Sequence, residues 1–403
     1  MLNGADSAFP CGLQMMSHDT LIVGGGIGGA VLANLLSRGG KRVAVLEKNL
    51  VPPQIARPEI LWPHTVQFLR TLIPARDEHR WLLAVEGLRF FEGDALVGQI
   101  SGQAFQRAGI QPYSTAGRET RRLLLVQADC EVLRGVEVRG LLKEQGSVVG
   151  VRAHCLTDRS DREWRAPWTV GDDGPGSIVR RETGIPLTTQ GANLDMLSFG
   201  CEWPQEFAAG MAHIFLNPRH AATGIVVCGC IPQPEGQAAG IIGVRPRAFE
   251  DEATLRGNLA EFAGQDPRLK LVLGQRVFPR DFVRVQLKFG NCPTFVHPGA
   301  ALIGDAAHPV TPAGGQGANL AIADARCLAD AILRGTDPLL ADYDRIRRRA
   351  ANRSLRLSRG AAWAFSLPDS ALAYAPLSAL VRLADRWPSL LRLGLNTPAT
   401  AFQ

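Results

Sequence analysis

The feature that most constrains the fold of this chain is a glycine-rich loop close to its N-terminus. A β-rich run at residues 20–23 leads into Gly24-Gly-Gly-Ile-Gly-Gly29, and an apolar segment typical of a helix continues to about Ser37. Gly24, Gly26 and Gly29 fit the pattern GxGxxG. Small residues at these positions allow a tight turn and let a pyrophosphate approach the amides at the start of the helix. The loop therefore predicts a dinucleotide-binding site.

The residues after this helix complete a strand–helix–strand unit. The run from Lys41 to Glu47 is β-rich, and Glu47 closes it, followed by Lys48. A carboxylate at the end of this strand can accept hydrogen bonds from a ribose hydroxyl. Two parallel strands joined by a helix are typical of a Rossmann-like α/β domain. The pattern alone does not separate FAD from NAD, and a glycine-rich turn without a ligand is the alternative.

In two later segments, too, a short β-rich or apolar run leads into a glycine-containing loop. The first runs from Gly171 to Arg180 as Gly-Asp-Asp-Gly-Pro-Gly-Ser-Ile-Val-Arg, after a short β-rich run. The second begins with an apolar run at Ala301, continues as Gly304-Asp-Ala-Ala-His-Pro, and passes through a Gly/Pro loop into an Ala-rich helix near Asn319. A helix that starts in such a loop offers backbone amides to an anion.

In this order and spacing, the three segments resemble those of the class A flavin-dependent monooxygenases. This FAD-dependent aromatic hydroxylase family is related to ubiquinone-pathway hydroxylases and squalene epoxidases. The resemblance implies bound FAD, NAD(P)H as a transient co-substrate and O₂. It implies insertion of one oxygen atom through a flavin hydroperoxide into a hydrophobic aromatic or polyketide/prenyl-type substrate. The cofactor would carry out the chemistry, so we expect no essential catalytic side chain.

The resemblance also gives roles to residues that match the family's motifs. The glycine loop would hold the FAD pyrophosphate, and Glu47 would hold the adenosine ribose. Asp173 and Gly174 match an Asp-Gly segment associated with FAD and with transient NAD(P)H, and Asp305 matches the aspartate that binds the ribityl chain. Residues 309–319 would run beside the isoalloxazine. The predicted cofactor-binding residues are Gly24, Gly26, Ile27, Gly28, Gly29, Glu47, Lys48, Arg57, Arg118, Asp173, Gly174, Gly304, Asp305, Pro312, Gly315, Gln316, Gly317, Ala318 and Asn319.

Two of these assignments, those of Arg57 and Arg118, rest on position in the chain and not on a matching motif. Arg57 lies where the family often has an arginine that reaches the FAD phosphates, and an exposed loop arginine is the alternative. Arg118 is a second candidate for contact with the flavin. The chain departs from the family at Asp172, where alanine is usual. An extra carboxylate at that position would alter how NAD(P)H docks.

The β-rich runs between the motifs predict a second domain inserted into the first. We expect an α/β fold with a Rossmann-like FAD-binding domain, an inserted antiparallel β-sheet substrate domain and a helical C-terminal tail. The expected boundaries are residues 17–75, 100–185 and 275–365 for the FAD-binding domain, 76–99 and 186–274 for the substrate domain, and 366–403 for the tail.

The β-rich runs of the inserted domain also suggest a pocket for a small hydrophobic substrate. Alternating apolar side chains would form its walls, although core packing explains the same residues equally well. The candidate pocket residues are Met211, His213, Phe215, Val227, Ile242 and Pro309. His213 and His308 are weak catalytic candidates, because a core or loop-shaping histidine explains each of them better.

Composition excludes several classes of function. The net charge is +6 over 403 residues, much of it in an arginine-rich stretch at 345–359, and no nucleic-acid-binding module accompanies it. Eight scattered cysteines predict reduced thiols and a cytoplasmic protein without a metal site. Residues 1–18 are not typical of a secretory signal, and Met15 or Met16 is an alternative start. The tail could pack on the protein or contact a membrane surface peripherally.

Other functions remain open at this point. An FAD-dependent epoxidase or prenyl reductase would share the three motifs, and so would a flavin-containing cyclase or isomerase without net oxidation. A protein that keeps FAD without turnover is a further alternative. The halogenase motif Trp-x-Trp-x-Ile-Pro is absent. The sequence does not distinguish NADH from NADPH, and it does not give the oligomeric state.

Overall fold

The structure is a computed structural model of the 403-residue chain, and it confirms the predicted fold class. It describes residues 18–52, 58–217, 223–249, 251–274, 276, 280–335, 340–366 and 375–391. Arg57, Met15, Met16 and residues 392–403 lie outside these ranges.

A six-stranded sheet forms the first layer, in the order β18-β19-β12-β1-β2-β8. Its strands are β1 (Thr20–Val23), β2 (Val43–Glu47), β8 (Glu131–Arg134), β12 (Trp168–Gly171), β18 (Val296–His297) and β19 (Ala300–Leu302). All neighbours are parallel except β18 and β19. Every residue of β1 is buried, as expected for a parallel strand covered on both faces.

A seven-stranded sheet forms the inserted domain, in the order β17-β13-β16-β15-β14-β5-β6. Its strands are β5 (Gly87–Glu92), β6 (Ala95–Ser101), β13 (Thr188–Glu202), β14 (Met211–Leu216), β15 (Ile225–Pro232), β16 (Gln237–Val244) and β17 (Val283–Asn291). Only β14 and β5 are parallel neighbours. The expected domain boundary at residue 275 is one strand too early, because β17 pairs with β13 at the edge of this sheet.

Two small antiparallel sheets and eleven α-helices complete the described part of the chain. The sheets are β3 (Glu59–Leu61), β7 (Tyr113–Thr115) and β4 (Leu82–Ala84), and β11 (Ser160–Arg165), β10 (Ser147–Cys155) and β9 (Val136–Glu144). The helices are α1 (Ile27–Arg38), α2 (Pro63–Leu69), α3 (Glu78–Trp81), α4 (Gly102–Ala108), α5 (Gly117–Val126), α6 (Ile178–Thr183), α7 (Glu252–Ala263), α8 (Pro267–Leu273), α9 (Gln316–Arg334), α10 (Ala341–Ser366) and α11 (Ala375–Arg386).

The two faces of the seven-stranded sheet pack against different partners. One face packs against α7 and α8, through side chains that include Phe199, Phe215, Ile242 and Phe262. The opposite face contributes side chains such as Met196 to a cluster with residues of α10 and of the loop before α9. Since successive side chains of a strand point to opposite faces, this division decides which of them can line a site next to the six-stranded sheet.

The C-terminal helix α11 packs on the inserted domain. Val381 and Ala384 are buried in one cluster with Ile100 and Phe105. The Asp385 carboxylate accepts hydrogen bonds from the backbone N–H and the hydroxyl of Ser101, both at 2.7 Å. This apolar face of the tail therefore packs on the protein. No helix in the described ranges is long and apolar enough to cross a membrane.

Removal of the contact between Asp385 of α11 and Ser101 should cause a measurable loss of stability. Asp385→Ala should lower the free energy of unfolding by about 1–3 kcal/mol, because it leaves two half-buried donors without their acceptor. The control Glu261→Ala, at an exposed position of α7, should change it by less than about 0.5 kcal/mol. Urea unfolding followed by circular dichroism measures both. Equal stabilities of the two variants would mean that α11 does not depend on this contact.

Candidate functional site

The loop between β1 and α1 requires glycine because another loop presses against it. Gly24 has φ +100°, in the region that favours glycine. A Cβ on Gly24 would lie 2.3 Å from the carbonyl oxygen of Asp172, and a Cβ on Gly26 would lie 2.3 Å from its Oδ2. The first motif, the glycine loop at residues 24–29, is therefore in direct contact with the second motif, residues 171–180. The third motif is the segment of residues 301–319.

Helix α1 begins in this loop, and the backbone N–H groups of its first turn point out of the N-terminal end of the helix toward the loop. Gly26 precedes the helix and makes no side-chain capping hydrogen bond, and Ile27 is the first helical residue. The N–H of Gly29 donates to Asp172 Oδ2 at 2.7 Å. A Cβ on Gly28 would meet Ile303 and the backbone of α9 at 3.1–3.2 Å. The helix start therefore carries a partial positive charge next to the third motif.

Glu47 joins the end of β2 to the glycine loop. Its Oε2 accepts the N–H of Gly25 at 2.9 Å, and its Oε1 accepts the backbone N–H and the side-chain amide of Asn49 at 2.8 and 2.7 Å. Lys48 is exposed beside it. Glu47 and Gly25 line a cavity together with Arg118, Arg121, Arg122 and Arg134. Such a set of cations around one carboxylate suits the sugar and phosphates of a nucleotide.

Some polar groups of the second motif form hydrogen bonds within the motif. Asp173 Oδ2 accepts the N–H of Ile178 at 2.6 Å, at the start of α6. Its Oδ1 is buried and has no hydrogen-bond partner in the described structure, and burial raises the pKa of this carboxyl. Gly174 follows with φ +77°. The buried Arg180 donates to the carbonyl oxygens of Pro175 at 2.8 Å and Ala306 at 2.9 Å, so it links the second motif to the third.

The third motif is held by a buried carboxylate that lies outside the predicted set. Asp324 Oδ2 accepts the N–H of Gly304 at 3.0 Å and contacts His308 Nε2 at 2.6 Å, and Arg347 Nε donates to Oδ1 at 2.6 Å. Burial raises the pKa of Asp324, but the charges and hydrogen bonds of His308 and Arg347 outweigh it and hold the pKa at about 2. The network fixes the turn that carries Asp305.

One feature of the sequence could have indicated Asp324. It lies within the apolar run Leu320-Ala-Ile-Ala-Asp-Ala325 of α9, and burying such an acid requires ionic and hydrogen-bond partners. The network also decides the role of His308, which is 1% exposed. His308 supports Asp324 and is not a candidate for contact with a substrate.

The start of α9 is shaped by two glycines and one asparagine. Gly314 and Gly315 have φ +69° and +61°, and no side chain caps the helix at Gln316. The Asn319 side chain donates to the carbonyl oxygens of Ile60 at 2.8 Å and Gly315 at 2.6 Å. Pro312 is exposed, Gly317 and Ala318 are half-buried, and Gln316 is buried and donates to the Gly314 carbonyl at 3.0 Å. The loop is therefore rigid, with its helix amides unclaimed by a cap.

Residues 60–65 support this loop, and sequence reasoning missed them. Asn319 Oδ1 accepts the N–H of Trp62 at 3.1 Å and the hydroxyl of Thr65 at 2.6 Å. The Trp62 indole N–H donates to the Gly314 carbonyl at 3.0 Å. These contacts join positions about 250 residues apart, so no local pattern could have indicated them.

The structure does not bring the six predicted pocket residues together. His213, Phe215 and Ile242 lie on the sheet face that packs against α7 and α8. Val227 lies on the opposite face. These four residues therefore do not share one face of the sheet, because a strand sends alternate side chains to opposite faces and the sequence did not show which face α7 and α8 cover. For His213, Phe215 and Ile242 the structure shows core packing, the alternative that the sequence left open.

The remaining pocket candidates have other packing roles. Met211 lies against Gly87 at the start of β14. Pro309 is buried, and its carbonyl oxygen accepts the N–H of Gly290 at 2.9 Å. His213 stacks on Phe91 with ring centroids 5.4 Å apart, and burial lowers its pKa to about 4. His213 is therefore a neutral core histidine.

A different set of side chains forms an apolar surface on the face opposite α7 and α8. Ile214, Val227 and Ile241 come from neighbouring strands and are half-buried. Ile214 and Ile241 flank Gly229, where a Cβ would meet them at 3.3 and 3.2 Å. Val310, in the loop before α9, is half-buried and packs against the same cluster as Val227 and Ile241. These partly exposed aliphatic groups beside the loop make this face a candidate surface for a hydrophobic ligand.

Comparison with known proteins gives consistent matches. A model described as the FAD binding domain matches residues 17–358. A 6-methylpretetramide 4-monooxygenase of Streptomyces rimosus is 28% identical over 327 residues, covering 76% of this chain and 73% of that protein. A squalene epoxidase of Schizosaccharomyces pombe is 25% identical over 344 residues, covering 81% and 72%. The crystal structure of a p-nitrophenol 4-monooxygenase of Pseudomonas putida has a TM-score of 0.78 at 18% identity, covering 95% and 98%.

The Asp324 network predicts a large effect of removing one charge. Asp324→Asn should lower the free energy of unfolding by about 3–5 kcal/mol, because Arg347 would stay buried without its partner. Asp330→Asn, at an exposed position of the same helix, is the matched control and should cost less than about 0.5 kcal/mol. Urea unfolding at neutral pH measures both.

The same network predicts an acid dependence. Asp324 has a pKa lowered from 3.8 to about 2 in the folded chain, so the stability it contributes is complete above about pH 4 and is lost as the pH falls toward 2. The difference in unfolding free energy between wild type and Asp324→Asn should therefore shrink across this interval. A difference that stays constant would show that Asp324 is not ionised in the folded protein.

Proposed function

Because the chain belongs to the FAD binding domain family of flavin-dependent monooxygenases, we propose that NAD(P)H and O₂ are its co-substrates. Its substrate in this proposal is a hydrophobic aromatic or polyketide/prenyl-type molecule that receives one oxygen atom. The protein is an FAD-dependent oxidoreductase. When bound, FAD supplies electron transfer and oxygen activation, while the protein supplies binding, orientation and a dry environment.

The observation that carries the proposal is the contact between the first turn of α1 and the first two turns of α9. Both helices begin in glycine turns whose N-cap glycine offers no side-chain cap, and in α1 the N–H of Gly29 is taken by Asp172. The helices touch where Gly28 faces the carbonyl oxygen of Ala321. A helix N-terminus has a partial positive charge that stabilises an anion. The start of α1 suits a pyrophosphate, and the start of α9 suits the negative charge that a reduced flavin carries.

The geometry supports one path for the cofactor across the site. The adenosine would lie in the cavity of Glu47, with Arg118 on this side and not at the flavin. The pyrophosphate would lie on residues 24–29, the ribityl chain at Asp305 and the isoalloxazine along residues 312–319. The residues fit this ligand, because both helix starts offer backbone amides to anionic groups and the cavity of Glu47 carries arginines beside one carboxylate.

Asp173 has a narrower role in this proposal than its motif suggests. Its Oδ2 is already engaged at the start of α6, so only the unpartnered Oδ1 remains for a ligand. Arg180 keeps this motif in register with the turn of Asp305.

The substrate would lie on the apolar surface of Ile214, Val227 and Ile241, opposite Val310. These four side chains are aliphatic, so binding would depend on shape and on removal of apolar area from water. This lining, together with the similarity to a squalene epoxidase, favours epoxidation of an apolar alkene as the second candidate reaction.

Substrate-stimulated oxygen uptake tests the proposal. The purified FAD-loaded protein should consume NADH or NADPH and O₂ faster when phenols, polyketides or apolar alkenes are added singly. Mass spectrometry with ¹⁸O₂ should find one labelled oxygen in the product, and the product identifies hydroxylation or epoxidation. If a broad panel gave no stimulated uptake, a prenyl reductase, cyclase or isomerase activity would replace this proposal.

The apolar surface gives a specific prediction for substrate binding. Ile241→Ala should lower kcat/KM by about 10- to 200-fold, because it removes methylene groups from the pocket wall, and it should leave the FAD content unchanged. The control Leu383→Ala removes an aliphatic side chain that is 41% exposed on α11 and should leave kcat/KM unchanged. Steady-state kinetics on any active substrate measures both. An unaltered kcat/KM in Ile241→Ala would place the substrate elsewhere.

A further inference from the structure

Asp172 is an acidic residue inside a loop that is built to hold an anion. Its Oδ2 accepts the N–H of Gly29 at 2.7 Å, within the first turn of α1. Its Oδ1 lies 3.2 Å from the position that a Cβ would take on Gly26 or Gly28, and 3.4 Å from that position on Gly304. The carboxyl group therefore lies between the glycine loop and the turn of the third motif.

The charges around Asp172 disfavour the ionised form of its carboxyl group. Asp173 on the same loop and Asp305 on the facing turn both repel its ionised form, and Arg121 of α5 is the cation that opposes them. The residues of α1 that touch it are glycines and carry no charge. Burial, followed by these two acids, raises the pKa of Asp172 well above its usual range, against the hydrogen bond from Gly29.

FAD binding would increase the electrostatic repulsion on an ionised Asp172. The pyrophosphate carries two negative charges and would lie on the same helix start that already holds Asp172. Asp172 is half-buried as a residue, and a dinucleotide on the loop would cover it further. An ionised carboxylate in that position would be both desolvated and adjacent to like charges, and both effects favour its neutral form.

We propose that FAD binding is coupled to the uptake of one proton by Asp172, so that a neutral carboxylic acid stands beside the pyrophosphate. The proton comes from solvent, and no bond of FAD changes. In the neutral acid, Oδ2 still accepts the N–H of Gly29, and Oδ1 carries a hydrogen that can be donated. FAD affinity therefore depends on pH through a residue of the glycine-loop contact.

The coupling has a quantitative signature. Between the pKa of Asp172 in the apoprotein and its higher pKa in the complex, the dissociation constant of FAD should rise about tenfold per pH unit. Asp172→Asn keeps an oxygen to accept the Gly29 N–H and an amide to donate, but it cannot titrate. Its dissociation constant should vary less than about twofold over the same range, and at the alkaline end it should bind FAD more tightly than wild type.

Titration of the apoprotein with FAD, followed by flavin fluorescence at a series of pH values across the range in which the protein stays folded, tests this. Asp330→Asn is the control and should keep the wild-type slope. Calorimetry of the wild-type protein in two buffers of different ionisation enthalpy, at a pH where the dissociation constant rises with pH, should show uptake of close to one proton per FAD, and this result does not depend on the folding of a variant. Parallel slopes for wild type and Asp172→Asn, or no proton uptake, would overturn the proposal. Because the readout is FAD affinity, the outcome is independent of which substrate is oxidised.

Discussion

The geometry of the site depends on one buried carboxylate, that of Asp324. It joins α9 to α10 through Arg347, and it holds both ends of the third motif through Gly304 and His308. These groups are buried, so each partner would leave an uncompensated polar group if it were lost. The position of Asp305 and the start of α9 follow from this network, because both belong to the chain that it fixes. A stability requirement of the core thus determines where a ligand-binding loop can lie.

Helix N-termini and acids form a single electrostatic arrangement around the cofactor site. The starts of α1 and α9, which begin in glycine turns, attract negative charge, whereas Asp172, Asp173 and Asp305 oppose it. The arginines near Glu47 lie at the other end of the site. An anionic dinucleotide placed along the proposed path would be attracted by the helix starts and the arginines and repelled by the acids near its centre. This contrast suits a cofactor whose pyrophosphate is held by backbone amides and whose sugar and ribityl hydroxyls are held by carboxylates.

The sequence predicted the parts of the fold that depend on local pattern. The crossover unit around Gly24, the inserted antiparallel sheet and the helical tail could be inferred, since each has a periodicity or turn composition of its own. It could not predict which face of the inserted sheet α7 and α8 cover, so it leaves a pocket and core packing equally open for His213, Phe215 and Ile242, which lie in the core. It also could not predict the support of Asn319 by residues 60–65, because that depends on contacts between distant segments.

The glycine pattern itself has two physical causes that the sequence does not separate. The usual explanation is the close approach of a pyrophosphate, which applies to the exposed side of the turn. On the inner side, Asp172 occupies the space that a Cβ on Gly26 would need, and its backbone occupies the space beside Gly24. Glycine would be required there even without a ligand. A GxGxxG pattern is therefore evidence of a close approach, and identifying what approaches requires the segment that faces it.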